Sequence, residues 1–160
     1  MTIRAIVGGA AAVVAFAIGS AAVAQAPASA EIGTAQSDEY GAYLVDGEGM
    51  ALYLFTRDTQ GTDGTAAVSA CTGGCLQAWP RVTTTDMPTA SGDADAALLG
   101  TIEVDGVMQV TYNGWPLYYY AMDMMPGDTT GQERGGVWFL LTPAGEQIGG
   151  EAAAAPAGGG

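Results

Sequence analysis

The strongest constraint in this chain is a ten-residue phrase written twice. "GMALYLFTRD" runs from Gly49 to Asp58 and "GWPLYYYAMD" from Gly114 to Asp123. Both read Gly-x-x-Leu-Tyr-x-aromatic-x-x-Asp, matching Leu52 with Leu117, Tyr53 with Tyr118 and Phe55 with Tyr120. Alternate residues of a strand share a face, so Tyr53 and Phe55 point one way, Leu52 and Leu54 the other. In the second copy Tyr118 and Tyr120 share a face, with Leu117 and Tyr119 opposite. A strand apolar on both sides must be covered on both, or must cover one face and line a groove with the other. One hairpin cannot hide so much, so two copies imply two similar half-units packed with approximate two-fold symmetry.

The Asp that ends each phrase reads as turn chemistry. Asp58 opens "DTQG", a type I turn signature, and Asp123 precedes Pro126-Gly127. An Asp side chain there can bond backbone N–H groups two residues on. The phrase tyrosines are natural hydroxyl donors to such carboxylates, within or across the copies.

Around the phrases lie short runs of β-formers split by turn signals. "AYLVD", Gly47-Glu48-Gly49 and "ALYLFTR" read as a hairpin. "GTIEVDGVMQVTY" reads as another, turning at Asp105-Gly106, and Asn113-Gly114 leads into "WPLYYYAM" to complete a meander. "GVWFLLT" supplies a late strand before Pro143-Ala144-Gly145. "CTGGCLQAW" makes one short helix ended by Pro80, and Thr59 to Ala70 is loop. The expected class is mainly β: an antiparallel, sandwich-like domain of two similar half-units, six to eight strands, with one short helix at the Cys pair.

The chain ends read differently. Arg4 and an uncharged Ala/Val/Ile-rich run, followed by Ala22-Val23-Ala24, describe a signal peptide over 1–24. Ala28-Ser29-Ala30 is a second possible cleavage site. Residues 25–36 are expected to be a flexible linker, 37–149 the β-rich two-repeat domain and 150–160 a disordered tail. Neither cleavage site is followed by Cys, so no lipid anchor is expected. Export to the periplasm or medium follows, and there Cys71 and Cys75 should pair as a disulfide. Residues four apart in a helical turn sit about 6 Å apart, within disulfide range.

Charge excludes more than it assigns. The chain has 17 carboxylates, 4 basic residues, all Arg, and no His, for a net charge of −13. Loss of Arg4 with the leader leaves Arg57, Arg81 and Arg134. Such a field repels nucleic acid and anionic lipid. Without His, imidazole acid–base catalysis and Ser-His-Asp or Cys-His devices cannot be built. Two Cys cannot complete a structural zinc site, and no covalent-haem or phosphate-loop motif is present.

The two Tyr-x-aromatic-x-x-Asp copies, with the Cys pair and Trp79-Pro80 between them, resemble a bacterial family of secreted or lipid-anchored repeat proteins of unknown function. The likeness spans about Tyr43 to Gly145, through "CTGGCLQAWP", "GWPLYYY", "PGDTTGQ" and "GVWFLLTPAG". Many members of that family carry a lipid-attachment cysteine, which this chain lacks. The resemblance implies an address and a repeat fold, not a reaction.

Three functions stay open. The first is an exported, non-enzymatic envelope module, structural or binding, with no cofactor, an unidentified envelope or extracellular partner, and a monomeric state. Its motif residues Gly49, Leu52, Tyr53, Phe55, Asp58, Gly114, Leu117, Tyr118, Tyr120 and Asp123 would all be structural. The second is a copper or thiol-redox protein using Cys71, Cys75, Met122, Met124 and Met125, since soft sulfur ligands favour Cu(I). The third is a glycan-binding groove in which exposed Tyr112, Trp115 and Tyr119 stack on sugars.

Overall fold

The computed structural model describes residues 29–150. The leader expected over 1–24, the first residues of the expected linker and the tail beyond Gly150 lie outside the described residues. The described residues form nine short strands: β1 (Glu31–Ser37), β2 (Gly41–Asp46), β3 (Tyr53–Phe55), β4 (Thr83–Thr84), β5 (Thr89–Ala90), β6 (Leu99–Val104), β7 (Val107–Tyr112), β8 (Trp115–Pro116) and β9 (Trp138–Leu140). Among them one α-helix, α1 (Cys75–Ala78), lies at the Cys pair. All ladders are antiparallel except a two-residue parallel pairing of β1 with β5.

The linker expectation needs correction from Glu31 onward. Those residues form β1, which pairs along its length with β2 and buries Ile32 completely. Ala/Ser-rich composition concealed the alternation that seats Ile32 in the core. The first hairpin forms across Gly47-Glu48-Gly49: Asp46 N–H donates to the Met50 carbonyl at 3.0 Å, Val45 bridges Ala51, and Leu52 N–H donates to the Leu44 carbonyl at 3.1 Å. On its other edge β2 pairs with β1.

The second hairpin forms as the turn residues dictate. Asp105 and Gly106 at φ 53° and 80° join β6 to β7, and Asn113 and Gly114 at 48° and 76° join β7 to β8. Two successive positive φ values make a type I′ turn, whose twist suits paired strands. Gly114 is needed twice over. A Cβ on it would stand 2.0 Å from the Gly61 carbonyl oxygen, where the 59–70 loop crosses and Gly61 N–H bonds the Gly114 carbonyl at 2.9 Å.

The centre of the molecule is where the two phrases meet. Tyr53 and Tyr118, equivalent residues of the two copies, pair directly. Each N–H donates to the other's carbonyl, at 2.9 and 3.0 Å. An antiparallel pair of equivalent residues is what a local two-fold axis between them requires. On its outer edge Tyr53 pairs with Leu140 of β9, and Tyr118 pairs with Arg81 just before β4. "WPR" and "WFL" are thus equivalent segments, matching Trp79 with Trp138 and Arg81 with Leu140. Each late segment lies against the phrase of the other copy.

These central strands separate two cores. Leu44, Leu52, Leu54, Val82, Val110, Leu117, Phe139 and Leu141 pack on one side in a largely aliphatic cluster. Tyr43, Tyr53, Phe55, Trp79, Tyr118, Trp138 and Leu140 pack on the other in an aromatic one. Alternation along β3 and β9 sends each residue to the opposite core from its neighbour. Burying both faces leaves Leu52, Tyr53, Leu54, Leu117 and Tyr118 with no exposure.

Candidate functional site

Four rings form a continuous stack through the aromatic core. Phe55 lies on Trp138 at 4.1 Å between centroids, Trp138 on Trp79 at 3.9 Å, and Trp79 on Tyr120 at 4.3 Å. The Trp–Trp contact, 4° from parallel, sits on the local axis. Its flanks are matched pairs. Tyr53 meets Trp79 edge-on at 5.4 Å, and Tyr118 meets Trp138 edge-on at 5.2 Å. The outer end at Tyr120 is covered by the Arg134 guanidinium, 5.4 Å from the ring centre. Edge and offset contacts of this kind add about 1 kcal/mol per pair beyond area burial.

The symmetry extends to the hydroxyls and carboxylates, with the partners crossed between copies. Tyr53 donates to Asp123 Oδ2 at 2.5 Å. Asp123 Oδ1 also accepts the Thr130 N–H at 2.9 Å and its hydroxyl at 2.5 Å. The Gly131 N–H completes the set by donating to the Tyr53 oxygen at 3.2 Å. Burial, then the bond and the charge of Asp123, push the Tyr53 phenol well above its ordinary value. It therefore stays a donor.

The equivalent pair, Tyr118 and Asp58, is arranged differently. Asp58 Oδ1 accepts the Ala70 N–H at 2.7 Å, while Oδ2 is buried without a hydrogen bond. The Tyr118 hydroxyl bonds Ser69 Oγ at 2.6 Å. Burial raises the Asp58 carboxyl from 3.8 to about 6, against the smaller lowering effects of Ala70, Tyr118 and Arg81. Desolvation of a carboxylate with too few donors has that sign.

Both Asp residues depart from the local capping that their turns imply. Each closes a turn with its own N–H, Asp58 to the Phe55 carbonyl and Asp123 to the Tyr120 carbonyl, both at 3.0 Å. Their side chains reach Ala70 and Thr130 rather than the residues two positions on. The type I turn expected to open at Asp58 is one that Asp58 ends. A buried side chain bonds the nearest buried N–H, which tertiary packing supplies.

The other expected sites are placed as follows. Cys71 and Cys75 form a disulfide, with Cα atoms 5.4 Å apart. Joined sulfurs cannot act as the thiolate ligands of the copper reading. Met122, Met124 and Met125 are more than half exposed around the Asp123 turn. Among the described residues, no group of three or more His, Cys, Asp or Glu gathers to hold a metal. The glycan trio does not form an exposed surface. Tyr112 has no exposure and donates to the Pro143 carbonyl, while Trp115 and Tyr119 are half-buried against the aliphatic core. The Tyr119 hydroxyl is committed to Asp46 Oδ2 at 2.9 Å.

A small concavity of about 380 Å³ does lie beside Tyr119, among Glu31, Asp46 and Glu48. An open cleft of about 830 Å³ runs between the 60–67 loop and β6. Gln60, Thr62, Thr65, Thr101, Thr111 and Asn113 line it with hydroxyl and amide groups, and Leu98, Leu99 and Ile102 give it an apolar floor. Asp63 is its one charged lining residue.

With this geometry in hand, the chain can be set beside known proteins. A family model described as a secreted repeat of unknown function matches residues 34–83 and again 101–142, together more than half the chain. The chain belongs to that family. The two matched stretches divide the molecule as the local axis does, so each secreted repeat is one half-unit with its own phrase and late segment. No curated protein and no solved structure matches the chain.

Residues missed by sequence reasoning are Ser69, Arg81 and Gln109. Extending the repeat alignment from the phrase to "WPR" and "WFL" would have flagged Arg81, because its counterpart is the wholly buried Leu140.

Proposed function

We propose that this secreted-repeat protein is a non-catalytic envelope module that binds rather than transforms its partner. The observation that carries this reading is the commitment of the motif. Tyr53, Tyr118, Asp58 and Asp123, the phrase residues best able to do acid–base work, are buried and face one another across the axis. A group so placed cannot reach a reacting atom at hydrogen-bond distance. Binding then falls to the surface, where the cleft beside β6 lies within the size range of small-molecule sites.

The cleft chemistry favours a neutral, polyhydroxylated ligand such as a wall glycan. Hydroxyls and amides exchange hydrogen bonds with sugar hydroxyls, and apolar patches take the sugar faces. One lining carboxylate in a chain with 17 leaves this face less repulsive than the rest of the surface. The test is a titration of the isotope-labelled mature chain with neutral cell-wall oligosaccharides, read by amide shifts. Shifts clustered at Thr62, Thr101 and Asn113 support the reading. A well-dispersed spectrum that stays still across the panel overturns it.

Export by a leader cleaved near Ala24 belongs to the same proposal. The Ala30 N–H donates to Thr84 Oγ1 at 3.1 Å, and its carbonyl accepts from Thr89 at 2.9 Å. Cleavage after Ala30 would remove that anchoring residue and place a charged amine against β5, so the earlier site is favoured. Intact mass of the exported protein decides it: a chain starting at Gln25 with the disulfide closed is expected. Full-length protein retained in the cytoplasm would refute export.

A further inference from the structure

The half of the junction around Tyr118 carries three polar atoms without protein partners. Asp58 Oδ2, Arg81 Nε and Gln109 Oε1 are each buried and unbonded. Asp58 is 7% exposed, Gln109 is 0% exposed and the Arg81 side chain is 9% exposed. All three side chains neighbour Tyr118. Asp58 and Gln109 both lie against the Tyr118 hydroxyl, and Arg81 acts on Asp58 through its charge. Register agrees: Arg81 pairs directly with Tyr118, and Gln109 Nε2 donates to the adjoining Leu117 carbonyl at 2.9 Å.

The symmetric half shows what this cluster replaces. Leu52 N–H bonds Leu44 as Leu117 N–H bonds Val110, which matches Tyr43 with Gln109. Tyr43 accordingly lies near Asp123, as Gln109 lies near Asp58. The pair Tyr43 and Leu140 at one latch becomes Gln109 and Arg81 at the other. A bulky ring gives way to a shorter amide and an apolar side chain to a cation, which makes the second latch both roomier and more polar.

From this geometry we infer that the Tyr118 latch is a binding site for one internal water molecule. The unmatched inventory is two acceptors and one donor. A water donates its two hydrogens to Asp58 Oδ2 and Gln109 Oε1 and accepts from Arg81 Nε, leaving a lone pair for the Tyr118 hydroxyl. Internal waters make two to four such bonds where buried polar groups lack partners. Leaving all three atoms unmatched forfeits the hydrogen bonds each makes to water in the unfolded chain, and a bound water restores them at a small entropy cost. The other latch needs none, because Tyr53, Thr130 and Gly131 already satisfy Asp123 and each other.

A crystal structure of the mature chain at a resolution that orders solvent tests this directly. One water within hydrogen-bond distance of Asp58 Oδ2, Gln109 Oε1 and Arg81 Nε is expected, with none at Asp123. Arg81 Nε bonded straight to Asp58, no density between the three groups, or a peak whose coordination fits a cation would each overturn it. A solution measurement uses the variant that restores the other latch, Gln109→Tyr with Arg81→Leu. Wild type should show a cross-relaxation peak from long-lived water to groups around Tyr118, and the folded variant should lose it. Equal water peaks in both proteins, or none in wild type, would defeat the proposal; should the double variant not fold, Gln109→Met gives the same readout.

Discussion

The two Tyr–Asp latches are copies of one design, and they differ in how completely they close. At the Asp123 latch, three donors converge on the carboxylate and a fourth holds the tyrosine oxygen. At the Asp58 latch the carboxylate has one backbone donor, and the tyrosine hydroxyl pairs with Ser69 Oγ. Both aspartates are 7% exposed, so burial does not distinguish them. The difference lies in what the flanking chain supplies: "DMMPGDTTG" returns Thr130 and Gly131 to the phrase after a tight turn, while Asp58 waits for Ala70 at the end of a longer loop. A duplicated motif thus fixes the position of a carboxylate, and the unduplicated loops decide how well it is solvated by protein.

The largest expected effect comes from removing the better-bonded carboxylate. Asp123→Ala strands the Tyr53 hydroxyl and both Thr130 donors and should cost about 3–5 kcal/mol in denaturant unfolding. Asp58→Ala should cost only about 1 kcal/mol, since it also removes a poorly paired buried charge. Equal losses would erase the distinction between the latches.

A titration of stability comes next. The Asp58 carboxyl is raised to about 6 in the folded chain from an ordinary 3.8. Between those values the folded protein holds a proton that the unfolded chain has released, so this group stabilises at low pH and the benefit is lost as pH rises through about 6. The swing is about 2–3 kcal/mol. Asp58→Asn should abolish that component and unfold at a higher temperature than wild type at pH 7.5. Unfolding profiles with parallel pH dependence in the two proteins would contradict the assignment.

Opening the Cys71–Cys75 bridge should have a smaller and one-sided effect. The paired Cys71→Ala, Cys75→Ala variant loses about 2 kcal/mol of loop restraint. Because Cys71 follows Ala70, amide exchange should speed up at Ala70 and leave Thr130 unchanged. The smallest contrast is in the hydroxyls. Tyr53→Phe should cost about 2 kcal/mol and Tyr118→Phe about 1 kcal/mol, since only the first leaves a buried carboxylate oxygen and the Gly131 N–H unpaired. A reversed order in matched urea melts would show Tyr118 to be the more strongly held.

Much of the fold is legible in particular residues. Asp105-Gly106 and Asn113-Gly114 specify their turns because few residues adopt positive φ twice in succession. The alternation Leu-Tyr-Leu-Phe in "LYLF" foretells two cores, since a strand's faces are set by chain geometry alone. The disulfide follows from spacing. What stayed hidden was β1, whose Ala, Gly, Thr and Ser residues look like linker until β2 and β5 supply its partners. The carboxylate acceptors were visible as residue types, but the backbone donors to Asp58 and Asp123 lie 12 and 7 residues on, a separation that no local turn rule contains.

By itself, then, the sequence settled that two like strands with aromatics on one face and leucines on the other must bury both, because each apolar side chain carries its own cost of exposure wherever the chain leads. Tertiary structure alone decided that Tyr53 pairs with Tyr118, that Trp79 stacks on Trp138, and that each tyrosine faces the other copy's aspartate. Those are contacts across the local axis, and they depend on where two distant segments stand relative to each other. Arg81 and Gln109 became a polar pocket on the same terms, through the neighbours the fold gave them.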